Sequence, residues 1–307
     1  MQMRTMGPGA GWRWLVQGVN LGRHNARAVF GGTGLLIAVA LVPTVIQLIV
    51  QVGLKNTGEG AMYALGAFSL LFSLLVVIPL VAGMLRVIHA SENGRATHAT
   101  AIFDVFKPGG GIGRIVAVSV ALAVLAAAVI GLIVSVVDPS VAQWYVQAMV
   151  ASRNLETGAA SPSLPPLPEG IGMVVGLLIL FGLFMQGFHA IAFGQIALTD
   201  RSVGGALTDG CVGALKNLLP LLVLLVCFAI GALLALLVVA LLVGLLAAVG
   251  SLVDPMLGVA LAAPVYLAFL LVLYVVIFGV MYHLWRDVTG AGEAPTAPAD
   301  KNGVVAA

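Results

Sequence analysis

Six long stretches of this chain are almost devoid of charge. Between Phe30 and Leu284 no Asp, Glu or Lys lies inside any of them, and of the arginines only Arg86 touches one, near its end. An ionised side chain at the middle of a bilayer costs at least about 2.5–3.5 kcal/mol, so hydrocarbon imposes gaps of this kind. Charge is scarce overall, 8% of residues against 61% hydrophobic, where a soluble domain carries about 25% and about 45–50%. No piece between the gaps is long enough to bury a core of its own, which excludes a soluble catalytic domain. A net charge of +2, spread along the chain, excludes a nucleic-acid surface. Cysteine is nearly absent. Cys211 and Cys227 lie on one expected helical path, roughly 24 Å apart, too far for a disulfide within it. They read as free small hydrophobes.

The patterns of membrane enzymes are missing as well. There is no His-Glu-x-x-His, no Gly-x-Ser-Gly, and no run of paired acids to hold metal ions beside a lipid phosphate. Gly109-Gly-Gly-Ile-Gly113 lacks the Gly-Lys-Ser/Thr ending of a phosphate loop and reads as a hinge. The expectation is therefore no catalytic residue, no metal ligand, no cofactor and no enzymatic activity.

What is present is a set of apolar runs at about 29–53, 61–86, 115–137, 171–198, 218–250 and 257–283. Each exceeds the roughly 20 residues that cross about 30 Å of hydrocarbon. The expected fold class is all-α, a polytopic transmembrane helical bundle of six spans. The run Leu218–Val253 is longer than one straight crossing needs and too short for two. It should form one tilted helix, or one that projects past the membrane before turning at Asp254-Pro255. There and at Asp138-Pro139, Asp followed by Pro suits an N-cap and first turn.

Basic residues orient the bundle. Of 14 Lys and Arg, an inside N-terminus leaves only Lys55 and Arg153 in outer pieces. The inner pieces are also longer, but the excess lies in the expected direction. Both termini should be cytoplasmic. Arg4, Arg13, Arg23 and Arg27 precede the first run over too long a stretch for a cleavable signal.

Each pair of spans is preceded by a short segment of helical character, expected to lie in the headgroup plane on the cytoplasmic side. In Trp12–Arg27, Trp12, Leu15, Val16 and Val19 share one face, and Arg13, Gln17, Asn20, His24 and Arg27 the other. In Thr97–Lys107, Ala99, Ile102, Phe103 and Phe106 share a face. In Ser202–Asn217, Val203, Ala206, Leu207, Ala214 and Leu215 do so. The span ends also echo one another. Gly83-Met-Leu-Arg-Val-Ile-His-Ala-Ser parallels Gly194-Gln-Ile-Ala-Leu-Thr-Asp-Arg-Ser and Gly279-Val-Met-Tyr-His-Leu-Trp-Arg-Asp287. The pattern points to three units, each a surface helix followed by a transmembrane hairpin.

The longest outer loop begins with an amphipathic stretch, Pro139–Ala151, presenting Trp144 and Tyr145 to the interface. It ends in a proline-rich linker, Ser161–Pro168. The organisation expected is a disordered terminus at 1–10, one transmembrane domain at 11–287 and a disordered tail at 288–307.

Few polar residues enter the spans. His189 is the only ionisable one well inside, with Gln186 three residues before it on the same face. Gln47 lies one turn past Pro43 in the first span. Gln47, Gln186 and His189 are thus the candidate intramembrane polar site, either as a solute path or as interhelical hydrogen bonds that help the bundle associate. Arg13, Arg23, Arg27, Arg95, Lys107 and Arg114 are candidate contacts for anionic lipid headgroups. Small-xxx-small spacings, among them Gly172/Gly176, Ala190/Gly194, Gly231/Ala235 and Ala240/Gly244, allow close helix approach.

Three stretches carry a family likeness: Gly11-Trp-Arg-Trp-Leu-Val-Gln-Gly18; Arg86 through Glu92-Asn-Gly94 to Ile102-Phe-Asp-Val-Phe106; and Ala214-Leu-Lys-Asn-Leu-Leu-Pro220. Over roughly residues 11–287 the chain resembles the BPSS-type multi-pass bacterial inner-membrane proteins. More remotely it resembles the membrane portions attached to some glycerophosphodiester phosphodiesterases. The first resemblance implies a helical inner-membrane protein with no established activity. The phosphodiesterase domain itself is not in this chain, so that activity does not transfer. The role expected is structural or accessory, with the lipid bilayer, a membrane-protein partner or a second copy as the contact. The rival is a transporter or channel for a neutral or lipidic solute.

Overall fold

Apolar runs with no water to bond their amides satisfy them internally, and here they do so as helices throughout. The computed structural model describes residues 3–53, 59–156 and 165–291, and among these there is no strand. Helices α1 (Ala10–Val19), α2 (Ala26–Ala40), α3 (Val42–Gly53), α4 (Glu59–Phe72) and α5 (Ile78–Glu92) lead to a 3₁₀ segment (Ala99–Phe106). Then follow α6 (Ile112–Val137), α7 (Ser140–Glu156), α8 (Ile171–Leu198), α9 (Val203–Lys216), α10 (Leu218–Ser251) and α11 (Pro255–Thr289).

Among the described residues, six helical stretches are long and apolar enough to cross a membrane: Ala26–Gln51, Gly60–Glu92, Ile112–Val137, Ile171–Leu198, Leu218–Ser251 and Pro255–Thr289. Prolines mark their irregularities. The first stretch breaks at Leu41, just ahead of Pro43, whose ring clashes with the carbonyl four residues back. The second relaxes through a π turn at Ser73–Val77 before Pro79, because the wider turn absorbs the same clash. The run after Leu218 is one helix of 34 residues. Asp254 then caps α11, its carboxylate accepting from the Met256 amide at 2.7 Å.

The long helices pair as three hairpins: α2/α3 with α4/α5, α6 with α8, and α10 with α11. The short elements pack mainly on a hairpin other than the one that follows them. The 3₁₀ segment packs on α2 and α5, α9 mainly on α8, and α1 on α10 and α11. Each therefore seats on the hairpin before its own. The first, having none before it, seats on the last. Three units close into a ring.

The core lies at one end of that ring. Trp14, Leu80, Met84, Leu85, Ile88, Ile102, Ile115, Ile191, Phe193, Ile196, Tyr282 and Trp285 are fully buried there. The opposite halves of the helices expose Leu48, Ile49, Leu70, Val124, Leu132, Leu234 and Leu241. The described ends of the chain meet at the packed end, where the Arg4 amide donates to the Val288 carbonyl at 2.9 Å.

Several local expectations change. The terminus expected to be disordered is ordered from Met3 onward. Lys216 Nζ donates to the Met3 carbonyl at 3.1 Å, and Asn217 bonds the Arg4 carbonyl and Met6 amide at 2.9 and 2.8 Å. Of the expected tail, 292–307 lies outside the described residues. Thr97–Lys107 holds a 3₁₀ turn, so Ile102 and Val105, three apart, are buried while Phe103 and Phe106 stay exposed. In α9 the face turned inward is Ala206, Asp209, Gly210, Gly213 and Ala214, and Leu215 points out. Helix α7 starts near the place expected for the amphipathic stretch, at Ser140, with Trp144 Nε1 donating to the Pro165 carbonyl at 3.1 Å.

Candidate functional site

Helix α1 is short, yet two cavities flank it. Its inward face is Ala10, Gly11, Trp14 and Gly18. Gly11 meets the Pro220 carbonyl and Leu224 amide of α10, where an added Cβ would come within 2.2 and 2.6 Å. Gly18 meets Gly279 of α11, whose Cβ would lie 2.7 Å from the Gly18 Cα. Side chains at either crossing would push α1 off the hairpin. Between the crossings Trp14 is fully buried, its Nε1 donating to Asp287 Oδ2 at 3.0 Å.

Seating this face leaves the expected apolar face, Trp12, Leu15, Val16 and Val19, only partly covered, with Leu15 against the edge of the core. Trp12 and Val19 are 56% and 62% exposed, as a side facing solvent or lipid would be. These residues overhang a groove of about 700 Å³ floored by Phe228, Gly231, Leu234, Phe269, Val272 and Val276. Almost nothing polar lines it; Asn20 is the exception. The floor residues lie deeper along α10 and α11 than Pro220 and Gly279, where α1 is seated. The apolar face of α1 therefore points along the hairpin toward the bundle's middle.

The polar side of α1 forms a different cavity, of about 480 Å³, with Arg4 and Met6 of the N-terminal strap, Arg13 and Gln17 of α1, and Arg286, Asp287 and Gly290 at the end of α11. Arg286 reaches Asp287 Oδ1 at 3.0 and 3.1 Å.

A second polar cluster ties α8 to α9. Asp209 is buried and takes both Arg201 Nε at 2.8 Å and Nη2 at 3.1 Å, together with Gln195 Nε2 at 3.0 Å. Hydrogen bonding and charge from Asp209 hold the Arg201 guanidinium above its ordinary range. Gln195 in turn accepts from Trp285 Nε1 at 3.4 Å. Arg86 donates to the Ala197 and Gly110 carbonyls, both at 2.9 Å, clamping the first hairpin to the second. At the other end of that second hairpin, Asp138 accepts from the Ser140 amide and hydroxyl and from the Gly170 amide. The Ser140 bonds are the main reason its carboxyl is held below the ordinary range.

Gln47, Gln186 and His189 are not brought together. Gln186 and His189 are both exposed on the outer side of α8, the His189 ring stacked on Phe193 at 5.3 Å. Gln47 is half-buried on α3, which packs on α4. None of the three lines either cavity. The expected headgroup contacts do share the packed end. Arg13, Arg23, Arg27, Arg95 and Lys107 are exposed and Arg114 half-exposed; Lys107 pairs with Asp104, and Arg114 with Asp200 at 3.6 Å. Sequence reasoning missed Trp14, Gln195, Asp209, Asn217 and Asp287. Gln195 and Asp287 carried one signal, a polar residue in the last turn of an apolar helix, whereas Trp14 and Asp209 lie in the middle of α1 and α9 and Asn217 is a cap between helices. Among the described residues no three His, Cys, Asp or Glu side chains converge as metal ligands would. No family model, curated protein or solved structure matches the chain.

Proposed function

We propose that this chain is a multi-pass protein of a bacterial cytoplasmic membrane, with both ends on the cytoplasmic side, acting as a non-catalytic structural or accessory element that engages lipid at its packed end. The likeness to the BPSS-type inner-membrane proteins belongs to this reading and adds no activity. The observation that carries it is the partly covered face of α1 over the groove of α10 and α11. An interfacial helix lies with its apolar side toward the acyl chains, and this face points toward the middle of spans whose own surface is apolar. Arg13, Arg23, Arg27, Arg95, Lys107 and Arg114 then sit at headgroup level, where each exposed cation near an anionic surface contributes about 1 kcal/mol.

Trp12 tests this. In reconstituted protein, the share of tryptophan emission that disappears in Trp12→Phe should be quenched by lipids brominated on their chains and spared by aqueous iodide. Quenching by iodide alone would place α1 in water and overturn the reading. The rival, transport of a neutral or lipidic solute, predicts that Gln186→Leu with His189→Leu abolishes flux while the protein still folds. The outward placement of both residues supports the scaffold, which tolerates the pair.

A further inference from the structure

We infer that the groove beneath α1 is a seat for one acyl chain of a membrane lipid, distinct from the lipid that bathes the rest of the bundle. This deepens the membrane reading above and rests on it. The floor runs along residues 227–235 of α10 and 269–276 of α11, so it descends roughly 11 Å along the hairpin at 1.5 Å per residue. Its end nearest the packed core is roofed by α1, which crosses α10 at Gly11 and α11 at Gly18. Asn20, the C-cap of α1, is the polar lining residue at that end. Polarity falls with depth, from an amide at headgroup level to Phe, Val and Leu below, as it does along a lipid.

The hollow is made by side chains that are missing. A Cβ on Gly231 would meet nothing within 4 Å, and Ala232 and Ala235 follow it in the lining. A recess facing hydrocarbon is filled, because empty space forfeits the dispersion contacts of its walls. Lipid tails are as apolar as any protein surface, so fit rather than the hydrophobic effect selects what fills it.

The roof selects the occupant. A spanning helix, from a second copy or another protein, is about 10–12 Å across with its side chains and has to continue to the membrane surface. There α1 stands in its path. Moving α1 aside would break the Gly11 and Gly18 crossings and the bond from Trp14 Nε1 to Asp287 Oδ2 at 3.0 Å. A lipid needs no such passage. Its thin, flexible chain ends inside the leaflet, and its head leaves sideways past Asn20.

The experiment titrates a phosphatidylcholine bearing a diazirine on one acyl chain into the detergent-solubilised full chain. After photolysis the labelled peptides are mapped by mass spectrometry. Labelling at residues 227–235 and 269–276 should saturate at one lipid per chain, while labelling on the exposed outer halves of the helices rises in proportion to the probe. Gly231→Phe fills the recess and should abolish the saturable part, and Gly231→Leu should lower it part-way. Gly244→Phe, equally open on the same helix but outside the groove, should leave it intact. No Cβ at either glycine meets an atom within 4 Å, so all three should melt as the parent does. Val19 is 62% exposed in the roof, and Val19→Asn should raise the probe concentration at half-saturation without touching α10.

Labelling that never saturates, or that survives Gly231→Phe and Val19→Asn unchanged, overturns the seat. A dimer in native mass spectrometry that Gly231→Phe dissolves would assign the groove to a second copy instead. Saturable labelling seen only after residues 292–307 are removed would assign it to the tail, and either result overturns the acyl chain. Trp12 quenched by brominated chains, with no saturable labelling, leaves the membrane reading standing and sinks this one. Quenching by iodide alone sinks both.

Discussion

Asp209 is 5% exposed and charged, which only a full set of partners makes tolerable. Replacing it with Ala leaves the Gln195 amide without its buried acceptor, a cost of about 1–3 kcal/mol. The Arg201 guanidinium adds less, because water reaches it. A drop in melting temperature of detergent-solubilised Asp209→Ala, with Asp209→Asn falling between it and the parent, is the expected outcome. Gly279 makes a sharper case. A Val there would drive into the Gly18 backbone, at a cost of at least about 1–3 kcal/mol, and should free α1 as judged by protease cleavage within Ala10–Val19. Gly231→Val, which has nothing within 4 Å to strike, should melt as the parent does. The sequence marked Gly231 by its small-residue spacing and Gly279 only as the start of a repeated span end. Gly172, Gly176 and Gly244 prove equally open, because spacing marks a face without saying whether a partner covers it.

Elements were more legible than faces. Charge gaps long enough to cross hydrocarbon found all six apolar helices, and Asp254 caps α11 as an Asp-Pro pair should. The short helices were found too, but in α1 and α9 the inward side is the glycine-containing one. Apolar periodicity reports affinity for lipid as readily as for protein, whereas close backbone approach selects small residues. The 3₁₀ segment escaped because Ile102, Phe103 and Phe106 fit a period of 3.6 as well as Ile102 and Val105 fit one of 3. At this scale the Asp138 turn is a pH-sensitive joint between α6 and α8. Its carboxyl is depressed on folding, so the stabilisation is complete above its unfolded value, near 3.9, and is lost as pH falls through the lower native one. Amide exchange at Ser140 and Gly170 should stay slow, relative to the intrinsic rate, at pH 5 and quicken, on the same scale, only under strong acid. Quickening already at pH 5 would contradict the depressed value.

The ring belongs to the whole molecule. Each short element clasps the hairpin before its own, so α1 joins the first unit to the last beside the direct packing of α11 on α2 and α5. Removing residues 1–20 uncovers the Pro220 and Gly279 surfaces together. The truncated chain should melt lower in detergent, and a separate α1 peptide should restore it. Unchanged melting would mean that the hairpins hold together through Arg86, Trp285 and their own contacts alone.

Composition and the spacing of charge determined the helical class, the number of apolar helices and the repeat of short helix and hairpin, because hydrocarbon acts on each segment separately and its demand can be read in one dimension. Which face of each short helix turns inward, the order in which the units clasp, the Asp209 and Asp287 networks and the meeting of Arg4, Arg13 and Arg286 were decided by the tertiary structure. Those depend on backbones approaching closely at a few glycines and on polar groups far apart in sequence finding one another where water is scarce, and neither leaves a period in the chain.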